Sequence, residues 1–245
     1  MNKPVIKIGI TYTGTDEKQL NYINWLGLTE DITIITLSDE NSTPETIKLL
    51  DGIVLTGGVD VHPQNYNNDV TDYPNAPEKF NEIRDTFERE LFEISQLHKI
   101  PLLAICRGMQ LVNCILGGSL VQDIGIVSSA VHQFNKQDKA HGINIIAGTL
   151  LHAITGVART IVNSAHHQAI DVLGKDLQIN TVADDGIIEG IERINKEGHS
   201  FLLGIQWHPE RMYKFNLSDA PAAKNIRAAF IAAIISNNKN NHENN

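Results

Sequence analysis

The chain has 245 residues, of which 42% are hydrophobic and 20% are charged, a composition typical of one soluble globular domain with a large core. Its formal net charge of −9 argues against a protein that grips nucleic acid phosphates or an anionic membrane surface. The sequence contains no run of about 18 apolar residues, so no membrane-spanning helix is predicted.

The N-terminal sequence and the two cysteines indicate the compartment. MNKPVIKIGITY leads directly into a strand and lacks the apolar region and cleavage site of a secretory signal. Cys106 and Cys114 lie on one predicted helix, about 12 Å apart, which is too far for a disulfide. Two free thiols suit a reducing environment, so we predict a cytoplasmic protein.

The first half of the chain alternates between strand and helix patterns. Apolar and β-branched runs predict strands at 5–12, 32–37, 51–56 and 101–105, and helical spacing predicts helices at 17–26, 78–98 and 107–116. Between the third strand and the second helix, residues 59–77 form a loop rich in Asn, Asp and Pro. This order predicts a mainly parallel sheet covered by helices on both faces.

After Gly118 the pattern changes to short strands separated by turns. Strands are predicted at 141–146, 160–163, 177–183, 187–193 and 201–206, followed by a final helix at 219–236. The fold class is therefore α/β, a flavodoxin-like three-layer sandwich with a small antiparallel extension. We predict one domain over residues 1–236 and a disordered polar tail over 237–245.

The corner at Cys106 is the first candidate for chemistry. The sequence AICRG at 104–108 places Cys106 between a strand and a helix with small residues on either side, which is typical of a nucleophile elbow. A thiol at a helix N-terminus lies near the positive end of the helix dipole, which favours the thiolate. The alternative is that Cys106 is a small core residue, the interpretation that suits Cys114.

Two further segments complete a set of catalytic groups. LGIQWHPE at 203–210 places His208 just past a strand, where it can act as a base, and Glu210 can orient its imidazole. Gly58 ends another strand of the same predicted sheet. Its backbone N–H and that of Arg107 can form a two-donor oxyanion hole.

Together these motifs resemble a class I glutamine amidotransferase domain over nearly the whole chain: LTGG at 55–58, AICRGMQ at 104–110 and GIQWHPE at 204–210. VNSAHHQAI at 162–170 and DDGIIEGIE at 184–192 resemble the γ-glutamyl-γ-aminobutyrate hydrolase family in particular. That resemblance implies a Cys106, His208 and Glu210 triad and an oxyanion hole at Gly58 and Arg107. It also implies that Gln110, His166, His167 and Gln168 line the pocket for the γ-glutamyl group.

The resemblance implies neither a metal nor an organic cofactor. A metal site at His166 and His167, completed by His132 or His141, is disfavoured, because adjacent histidines rarely bind one ion and no zinc motif accompanies them. Glu189 and Glu192 have two interpretations, a functional role or a place on a solvated strand face, and the solvated face is preferred. The side chain of Arg107 has two interpretations, a carboxylate partner or a salt bridge to the loop after Gly58.

Three functions remain open from the sequence. The first is an independent cysteine hydrolase of small γ-glutamyl amides, which acts through a γ-glutamyl thioester. The second is a glutaminase subunit that supplies ammonia to a separate synthetase, and the third is a non-catalytic binding module. We expect a small γ-glutamyl substrate and no nucleic acid or membrane partner; a homodimer is one assembly that the sequence allows.

Overall fold

The computed structural model describes residues 5–27, 31–134 and 137–243. Its elements in chain order are β1 (Ile6–Thr11), α1 (Asp16–Leu26), β2 (Ile32–Leu37), α2 (Pro44–Ile47), β3 (Gly52–Leu55), α3 (Glu82–Leu97), β4 (Leu102–Ile105), α4 (Arg107–Ile115), β5 (Leu120–Val121), α5 (Gly125–His132), β6 (Gln133–Phe134), β7 (Gln137–Ile145), α6 (Leu150–Thr155), β8 (Arg159–Ser164), β9 (Ala169–Ile170), β10 (Leu177–Ala183), β11 (Ile188–Arg193), β12 (Leu202–Ile205) and α7 (Pro221–Glu243). Short 3-10 helices occupy Pro63–Tyr66 and Pro209–Phe215.

One half of the main sheet is parallel, in the order β2-β1-β3-β4-β12. β3, β4 and β12 are short, apolar and buried along their whole length, as expected of strands with helices on both faces. β12 comes late in the chain but pairs with β4, with Ile105 opposite Ile205. This pairing brings the sequence after residue 205 next to the sequence after residue 105.

The other half of the sheet is antiparallel. β11 pairs with β12, β10 with β11, β7 with β10, and β8 with β7. A separate two-stranded sheet joins β5 and β9.

Apolar side chains fill both faces of the sheet. One cluster includes Leu91 of α3 and Met109 of α4, and the other includes Tyr22 of α1 and Phe230 of α7. Helices therefore cover the sheet on both sides, which confirms the predicted α/β class with its mainly parallel core and antiparallel extension. Among the described residues, no helix is both long enough and apolar enough to cross a bilayer.

The structure differs from the prediction at several elements. The short helices α2, α5 and α6 were not predicted, since each has eight residues or fewer and gives too little periodicity to detect. α7 continues to Glu243, although the tail from residue 237 was predicted to be disordered. Asn238 donates a hydrogen bond of 2.8 Å to Asp51, and this tertiary contact supports a polar segment that composition alone disfavours.

Candidate active site

Cys106 occupies the sharp turn between β4 and α4. Its backbone has φ 52° and ψ −109°, a conformation that a non-glycine residue rarely adopts. The Cys106 N–H donates a hydrogen bond of 2.7 Å to the carbonyl of Ile205, which ties the turn to β12. At Gly108, one residue into the helix, an added Cβ would overlap the backbone carbonyl of Leu55, so only glycine allows this close approach.

His208 and Glu210 follow β12, which pairs with β4. The imidazole Nδ1 of His208 lies 2.8 Å from Oε1 of Glu210, and both side chains are buried. Cys106, 7% exposed, lines the same cavity as these two residues. The structure therefore brings the three predicted catalytic side chains together at one edge of the sheet.

The charge state of His208 depends on its neighbours. Burial and the Arg211 cation lower its pKa, but Glu210 and the Cys106 sulfur more than offset both and raise the pKa to about 9. The charge of His208 in turn offsets the desolvation of Glu210 and holds the pKa of that carboxyl below its ordinary value. The site thus favours an imidazolium at His208 paired with the Glu210 carboxylate.

A second set of polar groups positions the imidazole and was not identified from the sequence. Asn163 of β8 accepts a hydrogen bond of 3.2 Å from the backbone N–H of His208 and donates one of 3.1 Å to Asp138. Arg211 lies 3.2 Å from Asp138 and 3.6 Å from Glu210. β7 and β8 thereby support the segment that carries His208 and Glu210.

Tyr22 of α1 was also missed by sequence reasoning. Its buried hydroxyl accepts a hydrogen bond of 3.0 Å from the N–H of Gly57 and lies 3.5 Å from Nδ1 of His208. An added Cβ at Gly57 would approach the His208 ring to 2.7 Å, so glycine is needed there as well. The only available indication was its place on a helical stripe, which predicts core packing rather than a polar role.

The predicted oxyanion-hole donors lie at the same edge of the sheet. Gly58 follows β3 and lines the cavity with Cys106, and no partner for its N–H is found among the described residues. Arg107 is the first residue of α4, so its N–H has no carbonyl partner within the helix. Both donors are therefore free to meet an oxygen atom of a bound substrate, and that role stays a prediction.

The side chain of Arg107 points away from the cavity into a buried cluster of charges. It forms ion pairs with Asp85 and Glu88 of α3 while being 1% exposed. Arg84 bonds Glu88 at 2.8 Å and donates to the carbonyl of Gly57 at 3.1 Å. Asp85 also accepts from the backbone N–H of His62 in the loop after Gly58. The Arg107 guanidinium therefore pairs with two carboxylates of α3. One of these, Asp85, also binds the backbone of the loop after Gly58.

The cavity above Cys106 has a volume of about 620 Å³ and a lining that includes several charged side chains. Lys18, Lys79 and Arg211 contribute cationic groups, and Asp60 and Glu78 contribute carboxylates. Such a mixture suits a small substrate that carries both charges.

Of the four predicted substrate-binding residues, the structure places His167 on the cavity wall, between Asp60 at 3.1 Å and Asp123 at 3.3 Å. Gln110, His166 and Gln168 lie behind that wall. Gln110 donates to the carbonyl of Gln168 and to the side chain of Gln206, and Gln168 donates to Tyr73. A direct substrate contact for these three residues stays a prediction.

His166 instead joins a buried group of histidines around Glu189. His132, His141 and His166 all face this carboxylate, which is fully buried. Glu192 is also buried, where it accepts the backbone N–H groups of Leu150 and Leu151 at the start of α6. The predicted solvated face for Glu189 and Glu192 is therefore wrong, because β11 lies inside the sheet between β10 and β12.

Comparison with known proteins identifies the family. The model of the family described as peptidase C26 matches residues 19–210. A Schizosaccharomyces pombe protein provisionally named a glutamine amidotransferase is 36% identical over 86% of this chain and 80% of the relative. The γ-glutamyl-γ-aminobutyrate hydrolase of Escherichia coli K12 is 28% identical over 95% of this chain and 94% of the relative.

A solved structure shows the same fold. A Thermoplasma acidophilum protein provisionally named as one component of a GMP synthase superimposes with a TM-score of 0.68 at 15% identity, covering 98% of this chain and all of that one. The sequence match extends over most of the chain and includes the elbow and the His208 segment. The chain belongs to the peptidase C26 family and is a hydrolase of the class I glutamine amidotransferase-like type.

Proposed function

We propose that this protein hydrolyses γ-glutamyl amides of small amines, with Cys106 as nucleophile, His208 as acid and base, and Glu210 as the group that orients His208. The observation that carries the proposal is the strained Cys106 elbow facing a His208–Glu210 pair joined at 2.8 Å in one cavity. Acyl transfer needs this combination of groups.

In the first stage the Cys106 thiolate attacks the γ-carbonyl carbon of the substrate. The oxygen of the tetrahedral intermediate accepts hydrogen bonds from the Gly58 and Arg107 N–H groups. The His208 imidazolium then gives its proton to the amide nitrogen, the C–N bond breaks, and the amine leaves. A γ-glutamyl thioester on Cys106 remains.

In the second stage His208, now neutral, takes a proton from water, and the resulting hydroxide attacks the thioester carbonyl. The tetrahedral intermediate collapses with the thiolate as leaving group, and glutamate is released. His208 ends protonated and Cys106 ends as thiolate, so the starting state is restored. Every proton transfer involves a group present at the cavity.

Two observations support the proposed substrate class: the charged residues of the cavity and the name of a relative. The E. coli relative is named for hydrolysis of γ-glutamyl-γ-aminobutyrate, a substrate whose leaving amine carries a carboxylate. Lys18 and Lys79 on the cavity wall can pair with such carboxylates, and Asp60 can pair with an ammonium group. An amine with its own carboxylate is therefore the preferred leaving group.

The test is a panel of γ-glutamyl amides assayed for glutamate release, with γ-glutamyl-γ-aminobutyrate, uncharged amine derivatives and glutamine compared. We expect the purified chain to hydrolyse γ-glutamyl amides unaided, with carboxylate-bearing amines preferred. Cys106→Ala should abolish turnover. Cys114→Ala is the matched control, because Cys114 lies on the same helix and burial raises its pKa to about 12.

A second function is favoured by the name of the S. pombe relative. A glutaminase that supplies ammonia to a partner synthetase would use the same Cys106 chemistry on glutamine. Glutamine turnover that exceeds that of every other γ-glutamyl amide, or that requires an added partner, would support it over the first. If neither glutamine nor any γ-glutamyl amide is hydrolysed, both functions are wrong.

A further inference from the structure

Three imidazoles converge on a single buried carboxylate behind the wall of the active-site cavity. Nδ1 of His132 lies 3.2 Å from Oε1 of Glu189, Nε2 of His141 lies 3.6 Å from it, and Nε2 of His166 lies 3.1 Å from it. All four side chains are buried. They come from α5, β7, the segment after β8, and β11, so only the fold unites them.

In each imidazole the inner nitrogen is the one near Glu189, and the outer nitrogen is the one on the opposite side of the ring. Each outer nitrogen lies beside a hydrogen-bond acceptor. Nε2 of His132 lies 3.1 Å from Asp185, Nδ1 of His141 lies 3.1 Å from the carbonyl of Gly142, and Nδ1 of His166 lies 2.8 Å from the carbonyl of Gln168. A carbonyl oxygen only accepts, so these outer nitrogens carry the protons. Partners of this kind are what metal-binding histidines use to fix their orientation.

The inner nitrogens of neutral imidazoles then present lone pairs to a carboxylate oxygen, which also has only lone pairs. Such an arrangement needs a positive charge between the groups, either added protons or a metal ion. Nε2 of His141 and Oε2 of Glu189 are both buried and lack hydrogen-bond partners. Ser164 Oγ, 3.4 Å from Nδ1 of His132, is the one further polar contact found at these inner atoms in the described part of the chain.

The spacing also suits a metal ion. The candidate ligand atoms of His132, His141 and Glu189 all lie within 4.8 Å of one another. Zinc bonds of about 2.0–2.1 Å in a tetrahedral site place neighbouring ligand atoms about 3.3 Å apart. The distances of 3.2 and 3.6 Å from Glu189 to the two imidazoles lie on either side of that value.

We propose that His132, His141 and Glu189 bind one divalent transition-metal ion of the zinc class. Two imidazoles and a carboxylate are a donor set that zinc accepts, with a fourth position left for water. Adjacent histidines rarely bind one ion, which disfavours a metal site at His166 and His167 with His132 or His141. The fold separates that pair, since His167 turns to Asp60 and Asp123.

The position of the site predicts its effect. Ala165 and His167, on either side of His166, line the active-site cavity. A metal ion that joins α5, β7 and β11 would hold this wall in place and stabilise the fold by mass action. The proposal concerns ion binding only and adds no step to the hydrolysis.

The test is direct binding to the full-length protein after removal of metal with a chelator. Zn²⁺ is titrated by calorimetry, and Co²⁺ by the visible absorption that tetrahedral coordination produces. We expect one ion per chain and a rise in Tm on binding. We also expect loss of affinity by more than about tenfold in His141→Ala and in Glu189→Gln. His199→Ala, at an exposed histidine, is the matched control and should bind as the unmodified chain does.

Two further variants keep the outcome decisive. Cys106→Ala should bind the ion unchanged, which separates this site from a thiolate at the elbow. If Glu189→Gln fails to fold, His141→Ala decides, because its Nε2 has no hydrogen-bond partner to lose. No binding of Zn²⁺ or Co²⁺ at micromolar concentration, or equal binding by His141→Ala, would overturn the proposal and leave protons as the charge between these groups. Neither readout uses hydrolysis, so this proposal and the proposed function can fail separately.

Discussion

At the scale of single residues, Glu210 helps to set the pH up to which His208 stays protonated. Its carboxylate and the Cys106 sulfur raise the pKa of His208 to about 9 against the effects of burial and Arg211. The imidazolium is the form that protonates the departing amine. Activity should therefore fall on the alkaline side as His208 loses its proton.

Glu210→Gln removes the negative charge and keeps the shape of the side chain. We expect kcat to fall by about 10⁴, as when the orienting carboxylate of a serine protease triad is replaced by an amide. The alkaline limb of the kcat/KM profile should move to lower pH, because the pKa of His208 falls without Glu210. A pH–rate profile of both proteins measures this shift, and an unmoved alkaline limb would contradict the role given to Glu210.

Tyr22 offers a second prediction at this scale. Its hydroxyl is the acceptor for the buried N–H of Gly57, so Tyr22→Phe leaves that donor unsatisfied at a cost of about 1–3 kcal/mol. Gly57 precedes the proposed oxyanion donor Gly58, so kcat should fall as well. Denaturant unfolding and steady-state kinetics measure the two effects. Tyr213→Phe, at an exposed tyrosine, is the control and should change neither quantity.

At the scale of elements, the elbow depends on how α3 packs against α4. Arg107 bridges Asp85 and Glu88 of α3, and Arg84 links the same cluster to the carbonyl of Gly57. The charges thereby join the two segments that supply the proposed oxyanion donors. A buried ion pair of this kind is costly to break from one side, because the remaining charges lose their partner.

Arg107→Met should destabilise the fold by about 3–5 kcal/mol, since it leaves two buried carboxylates near a single remaining guanidinium. The backbone N–H of residue 107 is retained, so kcat of the folded fraction should fall less than in Cys106→Ala. Arg159→Ala is the matched control, because Arg159 pairs with Asp184 at the surface and should cost less than about 1 kcal/mol. Urea unfolding compares the three proteins, and equal midpoints for Arg107→Met and the unmodified chain would refute the argument.

The elements also show why some of the site was predictable and some was not. Cys106, His208 and Glu210 lie at the ends of apolar strands, and the ends of neighbouring parallel strands meet at one edge, so local patterns suffice to find them. The catalytic segment is also supported by three polar residues, Asn163, Asp138 and Arg211. Their contacts depend on the antiparallel register of β7 and β8, which local sequence patterns do not predict. The same holds for Glu189, whose burial follows from the position of β11 inside the sheet rather than from its own sequence.

At the scale of the whole molecule, the fold class followed from the order of strands and helices, and the pairing of β4 with β12 did not. That pairing joins residues about a hundred positions apart, and the local patterns of the two strands do not indicate it. The extension of α7 beyond residue 236 depends on the contact between Asn238 and Asp51, which composition cannot reveal. Local sequence patterns therefore do not predict these long-range contacts.

The buried charges also make stability depend on pH in two directions. The pKa of His208 is raised from 6.5 to about 9, so its contribution is complete below 6.5 and is lost as the pH rises through 9. Burial raises the pKa values of Glu88, Glu192 and Glu210, but in each case a neighbouring group more than offsets it and the pKa is lowered. The neighbour is Arg107 for Glu88 and His208 for Glu210. For Glu192 it is a set of backbone N–H groups. Their contributions are present above 4.5 and are lost as the pH falls below it.

These four groups therefore contribute most to stability between about pH 4.5 and 6.5 and less on either side. His208→Gln removes the group that titrates on the alkaline side, so its free energy of unfolding should change less between pH 6.5 and 9, by about 1–3 kcal/mol relative to the unmodified chain. His199→Ala, which removes an exposed histidine, should keep the full alkaline decline. Urea unfolding over a pH series tests this. A His208→Gln protein that loses as much stability above pH 6.5 as the unmodified chain would show that the imidazolium at the elbow is not what stabilises the fold there.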